Sequence, residues 1–272
     1  MPFRYVFVGL DSAVNVYSVS TSRLLHALRI GITGRVVGYK LCPINPDYIY
    51  VFTSSGRITK WEWTSGKRLC SWEMRCKTIT ANLTCDETED GHAVSFFCVQ
   101  EQKNGKRQVS IVRVADKGLS QNAILDTSKK ISGLKVSQRG QAIFTWDSRH
   151  IFIATRNVGH HNTSNSPVQY TWTEVRSPVD ITCLDIRESV NSARPGAQSS
   201  KRRNHKTIDL ALGGVGGSVL VLYDALNCLP NVKEGHQNGE LSAFRKFHWH
   251  RDPVRAVQWS RDGTYASKNN SL

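Results

Sequence analysis

The segment YIYVFTSSGRITKWEW, residues 48–63, shows the local pattern that recurs along the chain. Two short stretches rich in β-branched and aromatic residues flank the turn Ser-Ser-Gly. Such a pair is typical of a β-hairpin, in which successive side chains point to opposite faces. Trp61 and Glu62 stand near the end of the second stretch, where an aromatic ring can pack against a neighbouring sheet and a polar residue can turn the chain. We therefore expect this hairpin to belong to a larger β structure.

Pairs of the same kind recur throughout the sequence. The other four are RYVFVGL with AVNVYSV, AVSFFCV with QVSIVRV, QAIFTWD with HIFIATR, and IDLALGG with SVLVLYD. A further strand precedes most pairs, and these leading strands begin at residues 36, 79, 131, 181 and 254. The shortest spacing matches a four-stranded propeller blade, whereas the longer spacings require loop insertions. Because no long segment has the 3.6-residue period of an amphipathic helix, the sequence predicts an all-β fold.

The hairpins share a phase that is typical of WD repeats. In the hairpin of residues 48–63, Trp61 and Glu62 stand near the end of the second strand. Tyr17 occupies the position of Trp61 in one other hairpin, and Tyr223 and Asp224 occupy both positions in another. The stretch HRDPV supplies the His-x-Asp-x-Val turn that enters a blade. The structural WD-repeat positions are then Tyr17, Trp61, Glu62, Tyr223, Asp224, His250, Asp252 and Trp259. Together they predict a WD-type β-propeller over residues 4–272, rather than a Kelch propeller or a β-sandwich.

The composition favours an acidic partner and a reduced compartment. The chain has 36 Lys plus Arg against 22 Asp plus Glu, a net charge of +14. This charge fits RNA, DNA or an acidic protein surface, and a solvated basic surface is the alternative. Seven cysteines without a Cys-x-x-Cys pair indicate buried thiols and not a disulfide framework or a zinc module. Neither a signal peptide nor an apolar run of about 18 residues is evident, so we expect no membrane association.

One insert interrupts the repeats. Residues 188–207 are rich in Ser, Arg, Lys and Asn and contain almost no large apolar residue. They predict a disordered basic loop between the first two strands of one blade. The candidates for an RNA-phosphate contact or a nuclear address are Lys201, Arg202, Arg203 and Lys206. A loop that is merely solvated is the competing interpretation.

The sequence contains no convincing catalytic, cofactor or metal site. The stretch GGVGGS, residues 213–218, lacks the lysine of a phosphate-binding loop and joins two strands, so it predicts a hairpin turn. His160 and His161 have no nearby set of Cys or carboxylate ligands. No Gly-x-Ser-x-Gly nucleophile motif appears. We therefore expect a protein that is not an enzyme and takes no cofactor or small-molecule substrate.

The stretch FHWHRDPVRAVQWSRDGTY, residues 247–265, resembles the WD repeat-containing protein 75 / U3 small nucleolar RNA-associated protein 17 family. SSGRITKWEWTSGKRL and ITCLDIRE also resemble this family. The resemblance implies a subunit of the UtpA (t-UTP) subcomplex of the small-subunit processome. Its partners would be pre-rRNA, the U3 snoRNP and other UtpA subunits. Its roles would be 18S rRNA maturation and RNA polymerase I transcription, in the nucleolus of the nucleus.

Two further classes of function stay open. The first is a generic WD-repeat adaptor for protein interactions, such as a substrate receptor of a ubiquitin ligase. The second is an enzyme built on a propeller, and it is the weakest because no catalytic constellation is found. Copurification of pre-rRNA or of a cullin-linked adaptor separates the scaffold from the adaptor.

The two ends of the sequence predict an incomplete propeller. RYVFVGL has no leading strand before it, and residues 254–259 form a leading strand after which ASKNNSL is too polar to bury a strand face. We expect about four full blades with partial blades at both ends, as in a fragment that is poorly soluble alone. In the alternative, residues 254–259 supply the missing strand of the first blade and close a five-bladed ring.

Overall fold

A computed structural model describes residues 4–31, 34–42, 44–74, 77–82, 93–115, 118–137, 140–157, 169–190, 206–228, 244–248, 251–260 and 266–269. Within these ranges β-strand is the dominant secondary structure. The one helix described there, α1 (Ala225–Cys228), has four residues. No described helix has the length and apolarity needed to cross a membrane.

The chain divides into two compact units, Met1–Leu134 and Lys135–Leu272. The first unit contains three antiparallel sheets in chain order. The first sheet comprises β1 (Tyr5–Gly9), β2 (Ala13–Ser18) and β3 (Leu24–Arg29). The second comprises β4 (Val36–Leu41), β5 (Tyr48–Thr53), β6 (Arg57–Glu62) and β7 (Lys67–Glu73). The third comprises β8 (Lys77–Asn82), β9 (Ala93–Glu101), β10 (Arg107–Ala115) and β11 (Gly118–Thr127).

The fourth sheet begins at the boundary of the two units, and the second unit repeats the same pattern. The fourth sheet comprises β12 (Gly133–Val136), β13 (Ala142–Trp146), β14 (His150–Arg156) and β15 (Tyr170–Arg176). The fifth comprises β16 (Ile181–Val190), β17 (Lys206–Gly214), β18 (Ser218–Leu222) and β19 (Arg245–His248). The last is the pair β20 (Ala256–Trp259) and β21 (Ala266–Asn269).

These sheets are the blades of a β-propeller fold. Consecutive strands are hydrogen-bonded neighbours, so each blade is a meander with its leading strand at one edge. Among the described residues, four blades have four strands, the first has three and the last has two. This confirms the prediction of four full blades with partial blades at both ends.

Apolar side chains fill the space between successive sheets of the same unit. Phe96 of β9 is fully buried, and its ring centroid lies 4.9 Å from that of Phe52 and 5.1 Å from that of Tyr50. In the second unit, Phe144 of β13 and Leu210 of β17 belong to one core cluster. All five residues of β13 are buried. A strand that is covered on both faces needs apolar residues on both, which explains the continuous apolar runs in the middle strands.

One expectation about the end of the sequence is wrong. Residues 266–269 form β21, although ASKNNSL was expected to form no strand. Backbone hydrogen bonds pair β21 with β20, and Val257 of β20 is buried in a cluster with Val219 and Val221 of the fifth sheet and Val254. Within the described residues β20 pairs with β21.

The predicted insert is shorter than expected where the structure describes it. Residues 188–190 end β16, and residues 206–207 begin β17. Residues 191–205 lie outside the described residues, so the prediction of a disordered basic loop stays a prediction there. The two strands that flank residues 191–205, β16 and β17, are hydrogen-bonded neighbours in the fifth sheet.

Replacing Phe96 with Ala should destabilise the chain by about 3–5 kcal/mol, because it leaves a cavity between the second and third sheets. Urea unfolding followed by tryptophan fluorescence measures this loss. The control is Leu69→Ala on β7, where the side chain is 40% exposed and the cost should stay within about 0.5 kcal/mol. Equal losses for the two variants would contradict the packing described here.

Candidate interaction surface

Trp61 lies between the first and second sheets. Its side chain is 7% exposed and packs in one cluster with Val14 and Val16 of β2 and Ile49 of β5. Its indole Nε1 has no hydrogen-bond partner among the described residues. Glu62 follows at the end of β6 and accepts a hydrogen bond from the Ser65 hydroxyl. This arrangement places the aromatic ring in the core and the carboxylate at the turn.

Tyr17 and Tyr223 occupy the equivalent sequence position but are less buried. Tyr17 is half-buried, and its hydroxyl oxygen accepts a hydrogen bond from Asn15 Nδ2 at 3.1 Å. Tyr223 is 45% exposed, with the Arg245 guanidinium 5.4 Å above its ring. Asp224 adopts φ +52° and its carboxylate accepts hydrogen bonds from Asn227 Nδ2 in α1. The shared sequence phase therefore does not give the three aromatic positions the same burial.

The last leading strand, β20, is held against the fifth sheet by polar contacts. The Trp259 backbone N–H donates to Asp185 Oδ2 at 2.9 Å, and Lys135 Nζ lies 2.8 Å from Asp185 Oδ1. The Arg187 guanidinium stacks 4.7 Å over the Trp259 ring and forms an ion pair with the buried Asp209 carboxylate. These charged groups are satisfied within the second unit and are structural.

The turn before β20 is described only in part. Asp252 lies exposed at a bend, whereas His250 lies outside the described residues. Val254 is fully buried against Gly213, where an added Cβ would come within 2.7 Å of Val254 Cγ1. Gly213 and Gly214 end β17 and Ser218 begins β18, so GGVGGS forms a hairpin turn, as the sequence predicted.

His150 and Asp147 form a cluster that resembles a catalytic pair but closes a turn. The Asp147 carboxylate accepts hydrogen bonds from the backbone N–H groups of Arg149 and His150 at 2.7 and 2.6 Å, and from His150 Nδ1 at 3.0 Å. Glu174 Oε1 lies 3.7 Å from His150 Nε2. With both nitrogens facing carboxylates, the imidazole is held between β14 and β15 as a structural link.

Hydrogen bonding sets the ionisation of Asp147. Burial alone would raise the pKa of Asp147, but the hydrogen bonds from Arg149 and His150 outweigh it, so the pKa lies below the usual value of the group. Burial raises the pKa of the Cys98 thiol to about 12, which keeps that thiol protonated. The five described cysteines are free thiols, and Cys42 is buried like Cys98.

The part of the chain that the structure describes contains no group of three or more His, Cys, Asp or Glu residues arranged to hold a metal ion. His160 and His161 lie outside it. A surface pocket is lined by the turn of residues 9–11 and by residues 36–39 of β4, and Asp11 is the carboxylate among its lining residues. Tyr39 donates a hydrogen bond to the Phe7 carbonyl at 2.8 Å and forms one wall of this pocket.

The predicted basic loop is mostly outside the described residues. Lys201, Arg202 and Arg203 fall there, and Lys206 is the first residue of β17. The excess of positive charge is not confined to this loop, since each compact unit carries 18 Lys plus Arg and 11 Asp plus Glu. The basic character is therefore a property of both units.

One cluster of positive charge within the described residues was not predicted from the sequence. It lies at the end of the third sheet where the β9–β10 turn projects, and we call it the basic end of the third sheet. It comprises Lys77, Lys103, Lys106, Arg107, Lys129 and Lys130. In the sequence, the stretch QEQKNGKR, residues 100–107, indicates part of this basic surface. Only the pairing of β8 with β9 and of β11 with β10 brings Lys77 and Lys130 to the same sheet end.

Comparison with known proteins supports the WD-repeat class. The chain is 21% identical over 276 residues to WD repeat-containing protein 75 of Xenopus laevis, covering 96% of this chain and 28% of that protein. It thus spans little more than a quarter of that relative's length. A solved structure titled BBS1N in complex with ARL6DN, soaked with lead, matches with a TM-score of 0.56 and 16% identity, over 96% of this chain and 68% of that chain. No family model matches the chain.

Removing the Asp185 carboxylate should loosen β20. In Asp185→Ala the Trp259 N–H loses a charged acceptor, so hydrogen-exchange protection at residues 256–259 should fall about tenfold or more. The control is Asp180→Ala, which removes an exposed ion pair with Arg149 and should leave that protection unchanged. Unchanged exchange in Asp185→Ala would show that apolar packing alone holds the strand.

Acidic pH should remove the contribution of Asp147 to the free energy of unfolding. Because the pKa of Asp147 is lowered in the folded chain, its carboxylate stabilises the fold above the usual carboxyl pKa, and this stability is lost as pH falls through the folded value. Asp147→Asn should therefore cost about 1 kcal/mol at neutral pH, and the difference from wild type should shrink below about pH 4. Thermal melts across pH measure it, with the exposed Asp252→Asn as the control.

Proposed function

We propose that this chain is a non-enzymatic WD-repeat scaffold in ribosome biogenesis that binds pre-rRNA, the U3 snoRNP and UtpA proteins. It would act in 18S rRNA maturation and RNA polymerase I transcription, in the nucleolus. The observation that carries this proposal is the 21% identity to WD repeat-containing protein 75 across 96% of the chain. The shorter motifs of residues 54–69 and 247–265 agree with the same family.

The physical character of the surface supports a scaffold that meets RNA. The packed sheets form rigid elements, and their turns present polar and charged side chains to solvent, which is where binding residues of such folds are found. The net charge of +14 is shared equally by the two units, so an extended polyanion can be attracted along much of the chain. The His150–Asp147 pair already has a structural role and needs no substrate to explain it.

The second candidate is a WD-repeat adaptor that binds proteins only. The solved propeller that this chain resembles was crystallised in complex with ARL6DN, which shows that a related fold carries a protein partner. An adaptor of a ubiquitin ligase would use the same exposed turns without RNA. The two candidates therefore differ in what copurifies with the chain.

The first test of the proposal is purification of the tagged chain from cells, followed by identification of its RNA and protein partners. Pre-rRNA together with UtpA subunits is the expected result. A cullin-linked adaptor without pre-rRNA would contradict the ribosome-biogenesis proposal and favour the second candidate. Point variants that remove only surface charge serve as matched controls for nonspecific binding of RNA.

The basic loop gives a quantitative prediction. Replacing Lys201, Arg202, Arg203 and Lys206 with Gln should make RNA affinity less dependent on salt, because each lost phosphate contact reduces the slope of log affinity against log salt by about 0.7–0.9. Nuclear import is scored in the same variant, since the cluster can serve as an address. If both slope and localisation are unchanged, the loop is a solvated insert.

A further inference from the structure

The basic end of the third sheet is built by strand register. Lys77 of β8 lies opposite Glu101 of β9, Glu101 lies opposite Arg107 of β10, and Arg107 lies opposite Thr127 of β11. These four positions form one row across the sheet. With neighbouring strands about 4.8 Å apart, the row is about 14 Å wide.

The β9–β10 turn extends the row outward. Lys103 and Lys106 are exposed on either side of Asn104 and Gly105. The turn is ordered by its own hydrogen bonds, from the Gln102 N–H to the Lys106 carbonyl and from the Lys106 N–H to Asn104 Oδ1, each 2.9 Å long. Two lysines are thus held on a defined turn at the tip of the sheet.

The third part of the surface follows β11. Lys129 and Lys130 come directly after this strand, and Lys130 is exposed. The Arg107 guanidinium donates a hydrogen bond to the Ile131 carbonyl, which ties the segment after β11 to the start of β10. Lys103, Lys106 and Lys130 therefore project from neighbouring turns of the same sheet end.

The nearby carboxylates do not cancel this charge. Asp126 accepts a hydrogen bond from Gln108 Nε2 at 2.9 Å and lies 3.5 Å from Gln102 Nε2, and Glu101 is half-buried in the row. Six basic residues against these two acids leave an excess of four positive charges at one sheet end. By contrast, Arg57 at the corresponding end of the second sheet is paired with Glu73 at 2.6 Å.

We propose that the basic end of the third sheet binds the phosphate backbone of RNA, an inference that rests on the proposed function and adds a surface to it. Phosphates follow one another every few ångströms along a nucleic-acid strand, on the order of 3.4 Å per strand in duplex DNA. A row about 14 Å wide, extended by a lysine-bearing turn, therefore meets several phosphates at once.

The side chains of this surface fit RNA better than an acidic protein segment. The residues that define it are all Lys or Arg, carried mainly by turns, and no aromatic or aliphatic anchor is among them. Protein interfaces usually depend on a buried apolar or aromatic anchor, whereas backbone recognition of nucleic acid depends on Lys and Arg that displace counterions. Binding here should accordingly be insensitive to base sequence and strongly dependent on salt.

The test compares a triple Gln variant with a matched triple control and a triple Arg variant of the chain on a mixed-sequence single-stranded RNA. In Lys103→Gln, Lys106→Gln, Lys130→Gln, the slope of log affinity against log salt should become shallower by about 2, since each single-strand contact contributes about 0.7. The matched control removes Arg23, Lys67 and Arg68, three exposed cations at the opposite ends of their strands, and should leave the slope near wild type. Replacing Lys103, Lys106 and Lys130 with Arg should preserve the slope.

The outcomes separate this inference from the proposed function. If the wild-type chain binds RNA and the triple Gln variant and the matched control change the slope equally, this surface is wrong while the proposed function stands. If the wild-type chain binds no RNA, both are wrong. If polyglutamate binds as tightly as RNA and through the same three lysines, the surface is a site for an acidic protein segment instead. Circular dichroism of each variant confirms that exposed-turn substitutions leave the fold intact.

Discussion

The structure depends on apolar packing between neighbouring sheets of the same unit. Phe52 and Phe96 meet between the second and third sheets, and Phe144 and Leu210 share a cluster between the fourth and fifth. A middle strand such as β13, in which every residue is buried, needs apolar residues on both of its faces. This requirement accounts for the repetition of one supersecondary unit along the chain, because a single blade cannot bury its own apolar faces.

Polar residues with a structural role lie both at turns and within strands. Asp147 closes the β13–β14 turn, and Asp185 and Arg187 hold β20 at the edge of the fifth sheet. These charged groups form their hydrogen bonds and ion pairs within the fold. Lys103 and Lys106, by contrast, face solvent on the β9–β10 turn. The sheets supply the rigidity that holds this turn in place.

Binding to RNA would follow from charge and geometry together. Both units carry the same excess of positive charge, so net charge alone does not single out a surface. What distinguishes the basic end of the third sheet is that register lines up Lys77 and Arg107 and places the β9–β10 turn beyond them. Such a surface recognises a backbone and leaves sequence selection to other contacts. That division of roles suits a scaffold, which must hold a long RNA without reading each base.

The sequence by itself determined the all-β class, the five hairpins and the leading strands, because period-2 patterns and short turns are local properties. It also located GGVGGS as a hairpin turn and the insert between β16 and β17. It could not determine the burial of equivalent aromatics: Trp61 is covered by the first sheet, whereas Tyr223 is 45% exposed, since burial depends on what packs alongside. It missed β21, which pairs with β20, and α1, which is a single turn. It also missed the basic end of the third sheet, because Lys77, Lys106 and Lys130 are distant in sequence and only antiparallel pairing brings their strands to one edge.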